Sequence, residues 1–154
     1  MTGNVLQSSY DRYLNEGVVG ARASMHGWDS DTRICESTAI GFGLVASQGS
    51  DDRGATLGGS AFVGISVRDI TLVHTTPDQY EEGDNMSVMT EGDIWVEVAT
   101  AVNAGDQAYY NTSTGEIGAE AGTAIEGSRF MTSADADGLA VLRLDGTMSS
   151  DTTT

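Results

Sequence analysis

The sequence predicts a mainly β protein, a jelly-roll-like β-sandwich or barrel with an extended N-terminal arm. Three observations lead to this fold class. The chain has 20 glycines and one proline in 154 residues. Its apolar residues alternate with polar ones in short runs, and Gly and Asp residues separate those runs at intervals of roughly a dozen residues. The number of predicted strands and turns leaves little of the chain for helices, so we expect less than about 15% helix.

The clearest strand follows Gly92 and Asp93, where the residue types favour a turn. After this turn, Ile94, Val96 and Val98 fall on one face and the residues between them on the other. This two-residue period is typical of a strand with one buried face. The sequence therefore predicts a turn followed by a strand, with Ile94, Val96 and Val98 in the core.

The longest apolar run covers residues 61–75, but its alternation slips by one residue at Arg68 and Asp69. A slip of this kind turns the second half of a strand over unless a bend absorbs it, so we expect a break there. His74 is then predicted to be a half-buried residue on the second strand. Residues 76–79 have the pattern of a helix-capping box, which predicts one or two helical turns.

Shorter segments complete the predicted β domain. Residues 47–59 are polar and are expected to form a surface loop. Residues 139–144 are almost continuously apolar, which indicates a strand covered on both faces. Further strands are predicted at residues 40–45, 86–88 and 125–131, with a hairpin over residues 109–117.

The expected domain organisation is an N-terminal arm over residues 1–37, a β domain over 38–146 and a flexible tail over 147–154. The arm lacks a sustained period but contains large apolar side chains, and Tyr10, Tyr13, Met25 and Trp28 are its candidate anchors. They could fold back onto their own domain. Alternatively, they could bury themselves on a neighbouring subunit, since aromatic residues supply much of the energy of interfaces.

The charge of the chain limits its partners. It contains no lysine, and seven arginines face 23 carboxylates, giving a formal charge of −16. Such a field repels nucleic acid and anionic lipid, so neither is expected to bind. The acidity is consistent with a well-solvated surface, with a saline habitat or with a basic partner. The sequence shows no apolar run of about 18 residues and no secretory signal, so we expect no membrane span.

No catalytic set can be assembled from the residue types. The chain has two histidines, His26 and His74, and one cysteine, Cys35, at spacings typical of no nucleophile-and-base motif. Two Asp-x-Asp pairs, at residues 29–31 and 135–137, are interpreted as turns, because the second lacks the glutamate that completes a calcium loop. We therefore expect no catalytic residue, no cofactor and no metal.

An ordered series of short motifs resembles the structural cement, or capsid decoration, proteins of tailed bacteriophages. The series covers about residues 40–144, and Ser128 stands where a small Ala is expected. Its members are Gly41-Phe42-Gly43-Leu44-Val45, Gly64-Ile65-Ser66, Tyr80-Glu81-Glu82-Gly83, Glu91-Gly92-Asp93-Ile94-Trp95-Val96, Gly105-Asp106-Gln107-Ala108-Tyr109, Ile125-Glu126-Gly127-Ser128-Arg129-Phe130 and Gly138-Leu139-Ala140-Val141-Leu142-Arg143-Leu144.

This resemblance implies a non-enzymatic virion protein on the outer surface of the phage head, made in the host cytoplasm. There it would bridge neighbouring major capsid proteins as a small homo-oligomer, a dimer or a trimer. The alternative is another virion β module, such as a tail or carbohydrate-binding and adhesion domain. A sugar-binding face would need an aromatic platform, for which Trp95, Tyr109 and Tyr110 are the candidates.

Overall fold

The computed structural model describes residues 17–120 and 122–146 of the chain. Within them it contains twelve β-strands and no helix, which confirms the prediction of a mainly β, jelly-roll-like fold. The strands are β1 (Asp29–Cys35), β2 (Ala39–Gly41), β3 (Val45–Gln48), β4 (Gly54–Leu57), β5 (Phe62–Ser66), β6 (Gln79–Glu81), β7 (Asn85–Glu97), β8 (Tyr109–Tyr110), β9 (Ile117–Gly118), β10 (Thr123–Ala124), β11 (Ser128–Phe130) and β12 (Leu139–Asp145).

Five of these strands close into a ring in the order β1-β4-β3-β5-β7, and β7 pairs back to β1. The closure is visible at Val88 and Met89, which pair with β1 on one edge of β7 and with β5 on the other. A closed ring leaves no open edge between these strands, so their backbone groups are paired within the protein.

The second half of β7 extends beyond the ring and pairs with β12, which pairs in turn with β11. Strands β10, β8 and β9 form a separate three-stranded sheet in that order. Strands β2 and β6 form a two-stranded sheet. The antiparallel pairing of β8 with β9 confirms the predicted hairpin over residues 109–117.

Two apolar clusters fill this architecture. The smaller cluster takes Cys35, Ala46, Ala55, Val63 and Val88 from the five ring strands, so it lies inside the barrel. The larger cluster joins the large sheet to the three-stranded sheet. Its buried members are Val45, Phe62, Ile65, Met89, Ile94, Val96, Val98, Val102, Ala108, Tyr110, Ile117, Ile125, Phe130, Ala140, Leu142 and Leu144.

The strand β7 changes faces between its two halves. Met86 and Val88 belong to the barrel cluster, whereas Ile94, Val96 and Val98 belong to the larger cluster, as the sequence predicted for these three. All five occupy even positions, so a regular strand would put them on one face. The register against β1 skips one residue of β7 between Met89 and Glu91, and this bulge accounts for the change of face.

Several predicted elements differ from the observed ones. The predicted turn at Gly92 and Asp93 is wrong, because both residues lie inside the thirteen-residue strand β7. The predicted loop over residues 47–59 contains all of β4 and the last two residues of β3. The Asp-x-Asp pair at residues 29–31 lies in β1 rather than in a turn. At residues 135–137 the turn is confirmed, since Gly138 N–H donates to the Asp135 carbonyl.

The region after β5 was also predicted incorrectly. The strand ends at Ser66, two residues before the predicted break, and residues 67–78 form a loop rather than a second strand. His74 therefore lies on this loop. The predicted helical turns at 76–79 do not form, because Asp78 adopts a φ of 63°, outside the helical range, and Gln79 begins β6.

The segment Asp29–Cys35, which falls within the predicted arm over residues 1–37, forms β1 of the barrel. Five of its seven side chains are exposed and only Cys35 is buried, so the strand has little apolar alternation. Its place is fixed by backbone pairing with β4 and β7. The first sixteen residues and the predicted tail over 147–154 lie outside the described residues.

Candidate interaction surface

Residues 17–28 lie along the second half of β7, on the same edge as β1. The backbone N–H of Gly20 donates to the carbonyl of Trp95 at 2.8 Å, and Trp95 N–H donates to Ala21 at 2.9 Å. Ala23 N–H donates to Asp93 at 2.8 Å. Gly17 lies against the Trp95 indole so closely that a Cβ there would stand 2.1 Å from the ring. This part of the predicted arm therefore packs on its own domain.

A buried carboxylate fixes the segment further. Asp93 is 3% exposed, and its Oδ2 accepts a hydrogen bond from Ser24 Oγ at 2.7 Å. Arg143 on β12 donates to the same carboxylate from Nε and Nη2. The hydrogen bond from Arg143 lowers the pKa of Asp93 below its usual range; burial opposes this shift, and the Ser24 bond adds to it. The charge is compensated, as a buried carboxylate requires.

This anchored segment presents two candidate anchors to solvent. Met25 is 89% exposed and Trp28 is 48% exposed. The Arg22 guanidinium lies 4.6 Å from the centre of the Trp28 ring, a cation–π distance. We call Arg22, Met25 and Trp28 the Trp28 ridge. Tyr10 and Tyr13, the other two candidate anchors, lie outside the described residues.

Gly92 lies directly against the chain that carries the Trp28 ridge. It has a φ of 124°, and a Cβ at this position would stand 2.7 Å from the Cβ of Trp28. Only glycine takes such a backbone conformation readily. Gly92 therefore makes room for the chain that carries Trp28.

A second exposed apolar surface lies on the loop over residues 67–78. Ile70 is 85% exposed and Val73 is 94% exposed, whereas Leu72 packs against the barrel cluster. Sequence reasoning missed this surface because it placed Ile70 on a strand. The slip in the apolar period was the signal available, since it marked the end of the buried strand.

The described residues show no assembled catalytic set. Cys35 is 1% exposed, and burial raises the pKa of its thiol, which disfavours the reactive thiolate. His74 Nε2 lies 2.6 Å from Asp84 Oδ2, and its Nδ1 lies 3.4 Å from Glu81. With both ring nitrogens facing carboxylates of its own domain, His74 has the environment of a structural residue.

A cavity of about 390 Å³ among the described residues is open and acidic. Asp78, Glu97, Glu116 and Asp137 contribute to its lining together with Val19 and residues 41–44. Within residues 17–120 and 122–146, no group of three or more His, Cys, Asp or Glu side chains is arranged to hold a metal ion. The same ranges contain no helix long and apolar enough to cross a bilayer.

Trp95, Tyr109 and Tyr110 do not form an open sugar-binding platform in the described structure. Tyr110 is fully buried, and its hydroxyl donates to the Gly59 carbonyl at 2.7 Å. Trp95 is half-buried against Gly17. Tyr110 and Trp95 therefore serve packing rather than a shared binding face.

Large apolar side chains exposed on anchored segments are features of a protein interaction surface. The model of the structural cement protein family (E217 gp24/Pam3 gp6) matches residues 6–145. The chain therefore belongs to this family, and its role is that of a structural cement or decoration protein of the bacteriophage capsid. The match begins well before residue 40, so it also covers most of the predicted arm.

One solved phage structure shares the fold of this chain. A chain from the structure titled "The capsid of Myoviridae Phage XM1" has a TM-score of 0.68 at 16% identity, covering 92% of this chain and 98% of that one. The head fiber gp8.5 N base of bacteriophage phi29 has a TM-score of 0.45 at 15% identity, covering 80% and 99%. No curated protein matches the chain.

Proposed function

We propose that this protein binds the outer surface of the phage head and bridges neighbouring major capsid proteins. One observation carries this proposal: the Trp28 ridge exposes Met25 and Trp28 on a segment fixed to β7. The Trp28 indole has few rotatable bonds and loses little conformational entropy on binding, so it is suited to anchor an interface, and the flexible Met25 side chain can adapt to the surface beside it. The family membership identifies the capsid as the partner to test.

The proposal extends to residues 1–16, which carry Tyr10 and Tyr13. We infer that this segment continues from the Trp28 ridge onto an adjacent subunit of the shell. A chain laid across two subunits ties them together, which is the mechanical task of a cement protein. The protein would act as a dimer or trimer, be made in the host cytoplasm, and work without catalysis or a cofactor.

The experiment measures binding of purified protein to phage heads that lack it. The variants W28A and M25S should each weaken binding at least tenfold, because interface anchors typically cost more than about 1.4 kcal/mol when truncated. The matched control is I34T on β1, which changes another exposed apolar residue, 45% exposed, on the same protein. Unchanged binding by W28A and M25S would show that the ridge is not the contact.

Residues 1–16 are tested separately by deleting residues 2–16. This truncation leaves the bonds of Gly20, Ala23 and Ser24 to β7 in place, so the barrel should remain folded. A longer deletion through residue 30 would remove these bonds and part of β1. We expect the shorter truncation to stay folded by circular dichroism and to bind heads more weakly. If the truncated protein binds heads as tightly as the wild type, residues 2–16 do not contribute to the contact.

A further inference from the structure

The loop over residues 67–78 has an unusual combination of order and apolar exposure. It connects β5 to β6, and Leu72 packs against the barrel cluster. On either side of Leu72, Ile70 and Val73 are 85% and 94% exposed. The inward side chain of Leu72 fixes the middle of the loop, and Ile70 and Val73 project into solvent.

The base of the loop is closed by polar contacts. Arg68 Nη1 lies 3.1 Å from Asp78 Oδ1, which joins the two ends. The Tyr80 hydroxyl donates to the Val67 carbonyl, and the Arg68 N–H donates to Gly20. This last bond attaches the loop to the segment that carries the Trp28 ridge.

Two further contacts hold the outer part of the loop. Asp69 Oδ1 accepts hydrogen bonds from the N–H and the hydroxyl of Thr71, at 2.8 and 2.6 Å. His74 lies between Asp84 and Glu81, so its ring fixes the C-terminal side of the loop to the turn after β6. A loop held at so many points offers its exposed side chains in a defined position.

We propose that Ile70 and Val73 form a second docking point of this protein, inserting into an apolar pocket with a basic rim on a shell protein. This inference rests on the proposed function and names a separate surface for the same partner. Large exposed apolar side chains on an ordered loop lose little entropy on binding, so their burial contributes directly to affinity. The loop is joined to the Trp28 segment through Gly20, so both surfaces can act together.

The negative charge around the loop favours a partner with a basic surface. Asp69, Asp78, Glu81, Glu82 and Asp84 surround it in sequence. Its two basic groups, Arg68 and His74, already face carboxylates of the same chain. A second copy of this protein docked at this loop would place another chain of formal charge −16 against its carboxylates, so the proposed oligomer is expected to form through a different surface. A pocket with a basic rim on a different protein is complementary to this surface.

The test uses the full-length variant I70S/V73S with phage heads that lack the protein. Both side chains are exposed, so the variant should melt within a degree or two of the wild type. We expect its affinity for heads to fall at least tenfold, and the affinity of the control I34T to stay unchanged. Wild-type affinity should also fall as NaCl rises, because salt screens attraction between the acidic loop and a basic rim.

A second variant tests whether the fixed position of the loop matters for binding, without changing Ile70 or Val73. H74N removes the imidazole from between Asp84 and Glu81, and it should weaken binding while Ile70 and Val73 remain. Binding by I70S/V73S equal to that of the wild type, with binding by W28A reduced, would overturn this inference and leave the proposed function intact. Failure of the wild type to bind heads would overturn both.

The identity of the partner is tested by sedimentation of the free protein. We expect I70S/V73S and the wild type to sediment alike. Loss of a wild-type oligomer in this variant would show that the loop contacts a second copy of the chain, and would overturn the assignment to a shell protein. If the affinity for heads does not change with NaCl, the proposal that the pocket has a basic rim is wrong.

Discussion

Asp93 and Arg143 face each other across β7 and β12 as direct partners in the strand register. Arg143 Nε lies 2.7 Å from Asp93 Oδ1, and Nη2 lies 3.0 Å from Oδ2. A two-bond pair of this kind fixes both distance and orientation. Because Ser24 also donates to the carboxylate, the pair connects β12, β7 and the Trp28 segment.

We expect D93N to lower the free energy of unfolding at pH 7 by about 2 kcal/mol, the usual effect of losing hydrogen bonds to a charged group. The pKa of Asp93 is lowered in the folded state from its ordinary value of 3.8. Its contribution is therefore complete above that value and is lost as the pH falls through the lower, folded-state pKa. Urea unfolding should show the difference between wild type and D93N narrowing below about pH 4.

The control for this prediction is D69N. The Asp69 carboxylate also has a lowered pKa, caused by hydrogen bonds from Thr71, but it lies on an exposed loop. Solvent screening should make the effect of D69N at pH 7 much smaller than that of D93N. Equal effects of the two substitutions would contradict a special role for the buried pair.

Gly92 should tolerate no side chain. We expect G92A to destabilise the protein by about 2–3 kcal/mol, because the new Cβ would meet Trp28 and the φ of 124° is strained for alanine. The control is G83A, where φ is 89° but a Cβ meets no atom within 4 Å. G83A should cost only the backbone strain, about 1 kcal/mol. If G92A and G83A lower the melting temperature equally, the contact between the new Cβ and Trp28 does not contribute to the destabilisation of G92A.

Salt should stabilise the folded protein. The formal charge of −16 produces self-repulsion, and the screening length falls from about 10 Å at 0.1 M to about 3 Å at 1 M salt. We expect the melting temperature to rise with NaCl, and to rise less in D51N/D52N, which carries two fewer charges. A melting temperature that does not change with NaCl would show that repulsion among the carboxylates does not limit the stability of the folded protein.

Chelation should leave the protein unchanged. Asp135 and Asp137 are the carboxylates that most nearly match a calcium loop, but the turn they form is explained by its own backbone bond. We expect EDTA to leave the melting temperature unaltered. The control D137N keeps a residue type that accepts the φ of 65° at this position. A drop on EDTA treatment that is absent in D137N would identify a metal site there.

The sequence alone determined the fold class and the members of much of the core. Alternation along residues 94–98 was sufficient to place Ile94, Val96 and Val98 in the larger cluster, because side chains on a strand alternate between its faces. The near-continuous apolar run at 139–144 likewise became β12, in which Ala140, Val141 and Leu142 are all buried. The order of short motifs was sufficient to indicate the cement family.

Only the tertiary structure decided where the strands begin and which surfaces stay open. The strand β1 is mostly exposed, and it is held by backbone bonds to two distant strands, which leave no pattern in its side chains. The bulge in β7 moves Met86 and Val88 into a different cluster from Ile94, although their spacing is regular. Local periodicity records which face a residue takes within one strand, whereas ring closure, bulges and exposed anchors depend on neighbours that are far away in the chain.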